Sequence, residues 1–416
     1  MLIIDKNNLT ASVEEIVNSV KVFDIHTHLY PESFKDLFLY GFDELVTYHY
    51  LIAEALRVKE IPYTDFFALS KKEKADFIYD TLFVERTPIS ESCIGVLTTL
   101  NELGLDINCR ELDVFREHSK NYSRKEYIDL IFEKANIKKV VMTNDPFDDD
   151  EYNFWKNNVE LDEHFNSSLR LDYLLNDFRS ARYLLIKMGY NVTTSLIGLT
   201  KNEIKRFLVD WIKKTKSIYM AVSLPPDFTL PENSTRSILI EDCILEVSYE
   251  MNVPFAMMIG VKRQTNPELS IAGDSLGKAN IETIEYLCKK YNRNKFMVTM
   301  LSRENQHELT VLARKYRNLF IFGCWWFLNN PTLIKEITTI RIELLGLSFM
   351  PQHSDARVLD QLIYKWKHSR RIIADVLIEK YGKLLNLGWV LTYEKIQEDV
   401  ERLFGKNFDD FLLMEL

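Results

Sequence analysis

Two histidines lie two residues apart near the start of the chain, in the segment Asp24-Ile-His26-Thr-His28. In a β-strand, residues i and i+2 project from the same face, so both imidazoles would face one pocket. Two neutral imidazoles that converge on one point can supply half of the ligands of a divalent metal ion. The spacing also fits two polar histidines at the end of a strand that are satisfied by hydrogen bonds. The pair therefore indicates a metal site only if a further ligand lies nearby.

A carboxylate near the other end of the chain could supply that ligand. Asp355 follows His353 at the end of the segment 348–355, which we predict to be the last strand. If the first and last strands are neighbours in a closed barrel, Asp355 reaches a cation held by His26 and His28. Such a set suits Zn²⁺, Fe²⁺ or Mn²⁺ and leaves positions open for a substrate. Asp355 could instead cap a helix, and for His353 we expect a structural role.

Eight short apolar segments recur along the chain, and most are continuous runs rich in β-branched and aromatic residues. Such runs are typical of parallel strands that are buried on both faces. Eight strands that alternate with helical patterns predict an α/β protein with a (β/α)₈ TIM barrel. An open doubly wound sheet is the alternative, but no segment is followed by a glycine-rich phosphate-binding turn. The predicted strands are residues 21–27, 138–144, 167–174, 217–224, 253–260, 295–301, 318–324 and 348–355.

The connection between the first two predicted strands is much longer than the others and has a helical pattern throughout. We therefore predict a large helical insertion after strand 1, on the catalytic face of the barrel. This divides the chain into a metal-dependent barrel, residues 1–28 and 137–416, and an insertion, residues 29–136, that contributes to the active site. The predicted helices after strand 3 are 202–215, 280–291, 306–316, 330–346, 359–382 and 395–404.

The composition is that of an ordinary globular protein, with 46% hydrophobic residues and a formal net charge of −9 over 416 residues. This charge gives no long-range attraction for nucleic acid. No segment approaches the ~18 apolar residues of a membrane helix, and the first residues lack the pattern of a signal peptide. Five scattered cysteines without a C-x-x-C pair indicate reduced thiols. We expect a cytoplasmic protein without nucleic-acid or membrane partners, for which a homo-oligomer is one option.

The combination of a strand-1 H-x-H and a strand-8 aspartate resembles the amidohydrolase superfamily. Beyond that pattern, the chain resembles the uronate isomerase (glucuronate isomerase) branch of the superfamily. The most specific elements are the Tyr-His-Tyr of the insertion, a Trp-Trp pair and Ser-Asp-Ala-Arg. The matching stretches, which span almost the whole chain, are DIHTHL (24–29), DELVTYHYLIAEALR (43–57), MTNDPFDD (142–149), AMMIGVKR (256–263), GCWWFLNNP (323–331) and QHSDARVLDQLIYKWKHSR (352–370).

The resemblance implies a metal centre with an acid and a base beside it. His26, His28 and Asp355 would hold one divalent metal ion, for which we expect Zn²⁺, with Fe²⁺ and Mn²⁺ as alternatives. Tyr50 and His49 would project from the insertion over the barrel mouth as acid/base and hydrogen-bonding groups. Asp355 and Tyr50 are the candidates for base and acid, and the sequence does not decide which of them takes the proton from C2.

The resemblance also implies the residues that bind the substrate. Arg357 would hold substrate oxygens and stabilise developing negative charge, and Arg170 would pair with the substrate carboxylate through its planar fork of donors. Trp325 and Trp326 would line the sugar pocket. Each of these residues also has a simpler interpretation, as an ion pair at the barrel rim or as ordinary core.

The sequence departs from the superfamily pattern in strands 4 to 6. Many members have a histidine at the ends of strands 5 and 6, and some use a modified lysine in strand 4. Strand 5 here carries Met257 and Met258, strand 6 ends in Leu301-Ser302, and strand 4 contains no lysine. We therefore expect one weakly liganded metal ion. This expectation argues against a hydrolase, which needs a strongly activated metal-bound hydroxide.

The activity that the resemblance implies is the exchange of D-glucuronate with D-fructuronate and of D-galacturonate with D-tagaturonate. Such an aldose–ketose exchange removes a proton from C2 and returns one to C1 through an enediol. The first alternative is a metal-dependent hydrolase that acts on a lactone, ester or amide in the same barrel. The second is a non-catalytic sugar-acid sensor, which would have no need for the metal ligands and Arg357 together.

Overall fold

The computed structural model describes residues 2–157 and 161–416. In these two ranges, seven parallel strands form one curled sheet, and each strand pairs with its neighbours in sequence order. Sequential parallel order with helical crossovers is the topology of a (β/α)₈ barrel. The strands are β1 (Val22–Thr27), β2 (Ile137–Asn144), β3 (Phe165–Arg170), β4 (Ser217–Leu224), β5 (Phe255–Ile259), β6 (Phe296–Met300) and β7 (Leu319–Ile321).

The eighth predicted strand closes the barrel as an irregular extended segment. Met350 N donates to Ile321 O of β7 at 3.2 Å, and Asp355 N donates to His26 O of β1 at 3.1 Å. Between these contacts, Pro351 has no N–H to offer a ladder. Asp355 has a φ of 51°, in the left-handed region that a regular strand does not use. The segment therefore joins β7 to β1 through short hydrogen-bonded contacts at its two ends, which completes the predicted barrel.

The third predicted strand, 167–174, is wrong at its end, because β3 stops at Arg170 and a helix begins at Asp172. Leu171, Leu174 and Leu175 are all buried. Their spacing of i, i+3 and i+4 is that of one helix face, so the apolar run belongs to a helix and not to a strand.

The segment between β1 and β2 is largely helical and builds a hydrophobic cluster of its own around Phe42, Phe66, Tyr79 and Phe115. Its last helix instead buries Tyr127 and neighbouring residues in the main core of the barrel. The assignment of the whole of 29–136 to a separate insertion stays a prediction. The helices up to β2 are α1 (Leu9–Ser19), α2 (Phe42–Val46), α3 (His49–Val58), α4 (Tyr63–Ala68), α5 (Lys71–Tyr79), α6 (Glu91–Glu102), α7 (Leu112–Lys120) and α8 (Arg124–Ala135).

Helices after β2 cover the outside of the barrel and close its base. The longest of them extends from Gln361 to Asn386, and no helix that the structure describes is both long and apolar enough to cross a membrane. These helices are α9 (Asp149–Lys156), α10 (Asp172–Asn176), α11 (Phe178–Lys187), α12 (Leu199–Thr215), α13 (Thr235–Leu239), α14 (Leu245–Glu250), α15 (Ile281–Lys290), α16 (Gln306–Ala313), α17 (Pro331–Leu345), α18 (Gln361–Asn386), α19 (Tyr393–Glu401) and α20 (Asn407–Leu413).

Shorter elements complete the fold. Two antiparallel pairs lie outside the barrel sheet, Ile3–Ile4 with Leu391–Thr392 and Val261–Lys262 with Ser275–Leu276. The second pair extends β5 beyond the barrel mouth. The 3₁₀-helical segments are Glu32–Leu37, Pro267–Gly273, Arg303–Asn305 and Trp326–Leu328. The π-helical segments are Asp80–Val84, Ile240–Ile244 and Arg402–Lys406.

Candidate active site at the mouth of the barrel

The three predicted metal ligands come together at the carboxyl end of β1. Asp355 Oδ1 lies 3.7 Å from His26 Nε2 and 3.3 Å from His28 Nε2. One ligand atom from each residue lies within 4.8 Å of the others. Ligands that each stand about 2.0–2.2 Å from a Zn²⁺ ion are themselves roughly 3–4 Å apart, so the spacing fits one divalent cation.

The surroundings of these ligands also fit a cation. Burial lowers the pKa of His26 to about 3 and that of His28 to about 4, so both imidazoles are neutral at pH 7. Burial would raise the pKa of the Asp355 carboxyl, but the two imidazoles and Lys365 outweigh it and hold that pKa below its ordinary value. Asp355 Oδ1 is buried and has no hydrogen-bond partner among the residues described. Neutral imidazoles beside a carboxylate are the protonation states that metal binding requires.

Asp24 joins β1 to the closing segment and to α18. Its Oδ1 accepts from Ser354 N at 3.0 Å, and its Oδ2 accepts from Trp366 Nε1 at 2.8 Å. Burial raises the pKa of this carboxyl to about 6 in spite of these bonds. Because Ser354 precedes Asp355, the contact holds the carboxylate ligand against the strand that carries the two histidines. The sequence showed Asp24 beside the H-x-H pair but no sign of this role.

His353 lies beside the three ligands and is not one of them. Its ring is edge-on to that of His26, with centroids 5.4 Å apart, and it is fully buried. Within 2–157 and 161–416, neither of its ring nitrogens has a hydrogen-bond partner. A Cβ at Gly323 would lie 1.8 Å from His353 Nδ1, so the ring packs directly on the main chain of the loop after β7. This tight packing supports the structural role expected for His353.

Helix α3 begins over the barrel mouth and brings His49 and Tyr50 to the site. His49 lines the cavity above the metal ligands, whereas Tyr50 lines an adjoining cavity, and their rings are 4.4 Å apart. Burial lowers the pKa of His49 to about 3 and raises that of Tyr50 well above its ordinary value. The site therefore contains a neutral imidazole and a protonated phenol. In the described part of the chain, His49 Nε2 and Tyr50 Oη have no hydrogen-bond partner.

The cavity above the three predicted metal ligands is lined by arginines. Arg170 forms an ion pair with Asp172 through two contacts, Nε to Oδ2 at 3.1 Å and Nη2 to Oδ1 at 3.2 Å. This ion pair holds the pKa of Asp172 below its ordinary value against the effect of burial. Arg357 also lines the cavity, and Arg263 reaches it from the pair that extends β5, held by Asp274 at 2.6 Å. The wall is thus suited to an anionic ligand.

The predicted Trp-Trp pair follows β7, and both indole rings line this cavity. Trp326 has a φ of 48° and also lines the adjoining cavity, together with Tyr48 and Tyr50. Its ring lies 5.7 Å from that of His49. Trp326 therefore lies between the candidate metal site and the cavity lined by Tyr48 and Tyr50.

Thr143 and Arg263 of the cavity wall, and Tyr219 behind His26, are among the residues that were not predicted from the sequence. Thr143 and Tyr219 lie on β2 and β4, and Arg263 follows β5. The carboxyl ends of barrel strands carry the active-site residues, so polar residues near the ends of the predicted strands were the available signal. No local pattern distinguished Thr143 or Arg263 from other polar residues at strand ends, and Tyr219 lies near the start of β4, outside that signal.

The chain superposes on solved structures over nearly its whole length. A uronate isomerase from Bacillus halodurans C-125 is 51% identical, with a TM-score of 0.97 over 98% of this chain and 97% of that one. A uronate isomerase from Thermotoga maritima is 16% identical, with a TM-score of 0.78 over 98% and 97%. A glucuronate isomerase from Caulobacter crescentus is 14% identical, with a TM-score of 0.78 over 97% and 94%. The last two show the fold alone. No family model and no curated protein matches the chain.

Proposed function

Because the chain belongs to the uronate isomerase family, we propose that it exchanges D-glucuronate with D-fructuronate and D-galacturonate with D-tagaturonate. The observation that carries this proposal is the convergence of His26, His28 and Asp355 in a chain 51% identical to a uronate isomerase. Strands 4 to 6 lack the lysine and the histidines that many amidohydrolases use as further metal ligands. One set of metal ligands remains, which favours an isomerase over a hydrolase.

The metal centre that we propose holds one divalent ion, Zn²⁺ in preference to Fe²⁺ or Mn²⁺. His26 and His28 would bind it through Nε2, and Asp355 through a carboxylate oxygen. Their mutual distances, 3.7 and 3.3 Å to Asp355 Oδ1, support this set. When bound, such an ion polarises a substrate oxygen.

Arg170 binds the substrate carboxylate in this proposal. Asp172 engages its Nε and Nη2 groups, which fixes the plane of the guanidinium and leaves further N–H groups for a ligand. A bound carboxylate at this end would align the sugar chain toward α3, so that binding energy far from C1 and C2 is used for orientation. Trp325 and Trp326 form the apolar wall along which the carbon chain lies.

Asp355 and Tyr50 carry out the proton transfer between C2 and C1. A carboxylate can only accept a proton, whereas a neutral phenol has one to donate. We therefore assign the base to Asp355, which takes the C2 proton, and the acid to Tyr50, which supplies the proton to C1, with the roles exchanged in reverse. The proton of the C2 hydroxyl passes to the C1 oxygen, and Asp355 returns its proton to Tyr50 before the next turnover. Arg357 and the neutral His49 stabilise the negative charge that develops on the substrate oxygens in the enediol. Asp355, Arg357 and His49 line one cavity, and Tyr50 lies in the adjoining cavity with its ring 4.4 Å from that of His49, which supports the assignment.

The surroundings in which the enzyme works are also part of the proposal. We place it in the cytoplasm, since its five cysteines are free thiols and four of them are buried. Its partner is a small hexuronate, and neither nucleic acid nor a membrane is needed for this chemistry. A homo-oligomer is compatible with it. The helical insertion, residues 29–136, contributes His49 and Tyr50 to the site.

Incubation of the purified protein with D-glucuronate and with D-galacturonate tests the proposal. Ketose formation, followed by NMR with Zn²⁺, Mn²⁺ or Fe²⁺ added in turn, is the expected result. The Asp355→Asn variant supplies the background rate. If no ketose forms with any of these ions, the isomerase proposal is overturned. Hydrolysis of a sugar lactone by the same preparation would then support the hydrolase alternative.

A further inference from the structure

Two buried hydroxyl groups face the ring nitrogen of His26 that points away from the metal ligands. Tyr219 Oη lies 3.3 Å from His26 Nδ1, and Thr143 Oγ1 lies 3.5 Å from the same atom. Tyr219 comes from β4 and Thr143 from β2, and their side chains are 1% and 3% exposed. Neither residue contributes an atom to the metal ligands, so their relation to His26 needs a separate explanation.

Both hydroxyl protons are already used by the main chain of β1. Tyr219 Oη donates to Ile25 O at 2.7 Å, and Thr143 Oγ1 donates to Thr27 O at 2.9 Å. A hydroxyl group has one proton and two lone pairs, so each of these groups can only accept from His26. Nδ1 must therefore carry the proton, because an unprotonated Nδ1 would face two lone pairs with no donor among them.

The opposite nitrogen of the ring is then unprotonated. A neutral imidazole has one N–H, so a proton on Nδ1 leaves a lone pair on Nε2. This lone pair faces Asp355 Oδ1 at 3.7 Å, and His28 Nε2 lies 3.3 Å from the same oxygen. Atoms rich in electron density thus converge where the cation is expected.

We propose that Tyr219, assisted by Thr143, is a positioning residue that fixes His26 in the Nδ1–H tautomer and so presents Nε2 to the metal ion. The inference rests on the metal centre of the proposed function and adds two residues outside the ligand set. Each hydroxyl donates to the carbonyl of a residue next to His26 and accepts from its ring. The pair therefore ties the ring to the main chain of its own strand and limits rotation about the side-chain bonds.

Tyr219→Phe tests the inference, because it removes the hydroxyl and keeps the ring that packs against Phe408. We expect the affinity for Zn²⁺, measured by competition with a chromophoric chelator, to fall on the order of 10- to 100-fold. Tyr190→Phe is the matched control, since the Tyr190 hydroxyl donates to Asp210 and makes no contact with His26. This control retains wild-type affinity.

Variants at Thr143 separate the hydroxyl from the side-chain volume. Thr143→Val removes the second acceptor and weakens Zn²⁺ binding by less than Tyr219→Phe does, because the distance to Nδ1 is longer. Thr143→Ser keeps the hydroxyl and restores affinity toward that of the wild type. Equal affinities for the valine and serine variants would remove Thr143 from the inference.

The tautomer itself is measured in the wild-type protein freed of metal. Two-bond ¹H–¹⁵N correlation spectra distinguish an Nδ1–H from an Nε2–H imidazole, and His26→Gln assigns the signal. The inference is overturned if His26 is the Nε2–H tautomer, or if folded Tyr219→Phe binds Zn²⁺ as tightly as the wild type. If Tyr219→Phe does not fold, the spectrum of the wild type decides. Zn²⁺ binding without ketose formation would contradict the proposed function and leave this inference intact.

Discussion

His28 Nε2 lies 3.3 Å from Asp355 Oδ1 at the seam where the closing segment of the barrel meets β1. The main chains of the same seam are hydrogen-bonded, since Asp355 N donates to His26 O at 3.1 Å. The positions of the three proposed metal ligands are therefore set by closure of the barrel and not by the loops above it. A change in ligand chemistry at this seam should alter activity without disturbing the fold.

Asp355→Asn provides that change, because the amide has the shape of the carboxylate without its charge. We expect kcat/KM to fall on the order of 10²- to 10⁴-fold, since base and metal ligand are both lost. The variant should bind Zn²⁺ more weakly and keep the wild-type circular dichroism spectrum. Asp129→Asn, at a surface ion pair with Lys125, is the control. Activity near that of the control would remove Asp355 from the mechanism.

Arg170→Met should mainly weaken substrate binding. The variant keeps the length of the side chain but loses the donors that we assign to the substrate carboxylate. A hydrogen bond to a charged group contributes about 1.5–3 kcal/mol, so KM should rise on the order of 10- to 100-fold with a smaller effect on kcat. Steady-state kinetics with D-glucuronate measures the change. Arg303→Met, which breaks a surface ion pair with Glu336, is the control. An unchanged KM would show that the carboxylate binds elsewhere.

Gly323→Ala should destabilise the protein strongly. Gly323 has a φ of 66°, and an added Cβ would lie 1.8 Å from His353 Nδ1, where the buried ring has no room to move. Gly346→Ala is a matched control, since its φ is 62° and nothing lies within 4 Å of the added atom. Backbone strain should lower the free energy of unfolding of the control by about 1 kcal/mol, whereas Gly323→Ala should lower it by several times more. Equal Tm values in thermal denaturation would contradict the packing argument.

Glu151 should make the stability of the protein depend on pH. Its carboxylate accepts from Tyr30 Oη at 2.5 Å and from Asn144 Nδ2 at 3.0 Å, and it is 3% exposed. Burial outweighs these bonds and raises its pKa from 4.5 to about 7. The folded state therefore binds this proton more tightly than the unfolded state does. The contribution of Glu151 to stability is greatest below pH 4.5 and decreases as the pH rises to about 7.

Urea unfolding at pH 5 and pH 8 measures this contribution in the wild type and in Glu151→Gln. Glutamine does not ionise. From pH 5 to pH 8, the free energy of unfolding of the wild type should therefore fall by about 2–3 kcal/mol relative to that of the variant. Glu117→Gln, which removes a surface carboxylate paired with Lys120, should follow the wild type. A wild type that gains stability over Glu151→Gln as the pH rises would show that the hydrogen bonds dominate over burial.

The fold could be predicted from the sequence to the extent that it depends on local patterns. Apolar runs indicated strands β1 to β7, because strands buried on both faces need apolar residues on both faces. The same pattern failed at Leu171 and Leu174, where an apolar run continued from a strand into a helix. It also could not show that Tyr48 separates α2 from α3, since helical periodicity continues across the break.

The types of the proposed metal ligands and the succession of the strands along the chain were determined by the sequence alone, because residue chemistry and strand spacing are local properties of the chain. The 3.3 Å contact of His28 with Asp355, the pKa of Glu151 and the direction of the Tyr219 hydroxyl were decided by the tertiary structure. Each of these depends on groups far apart in sequence. The distances between these groups, their burial and their hydrogen-bond partners are set only once the barrel has closed.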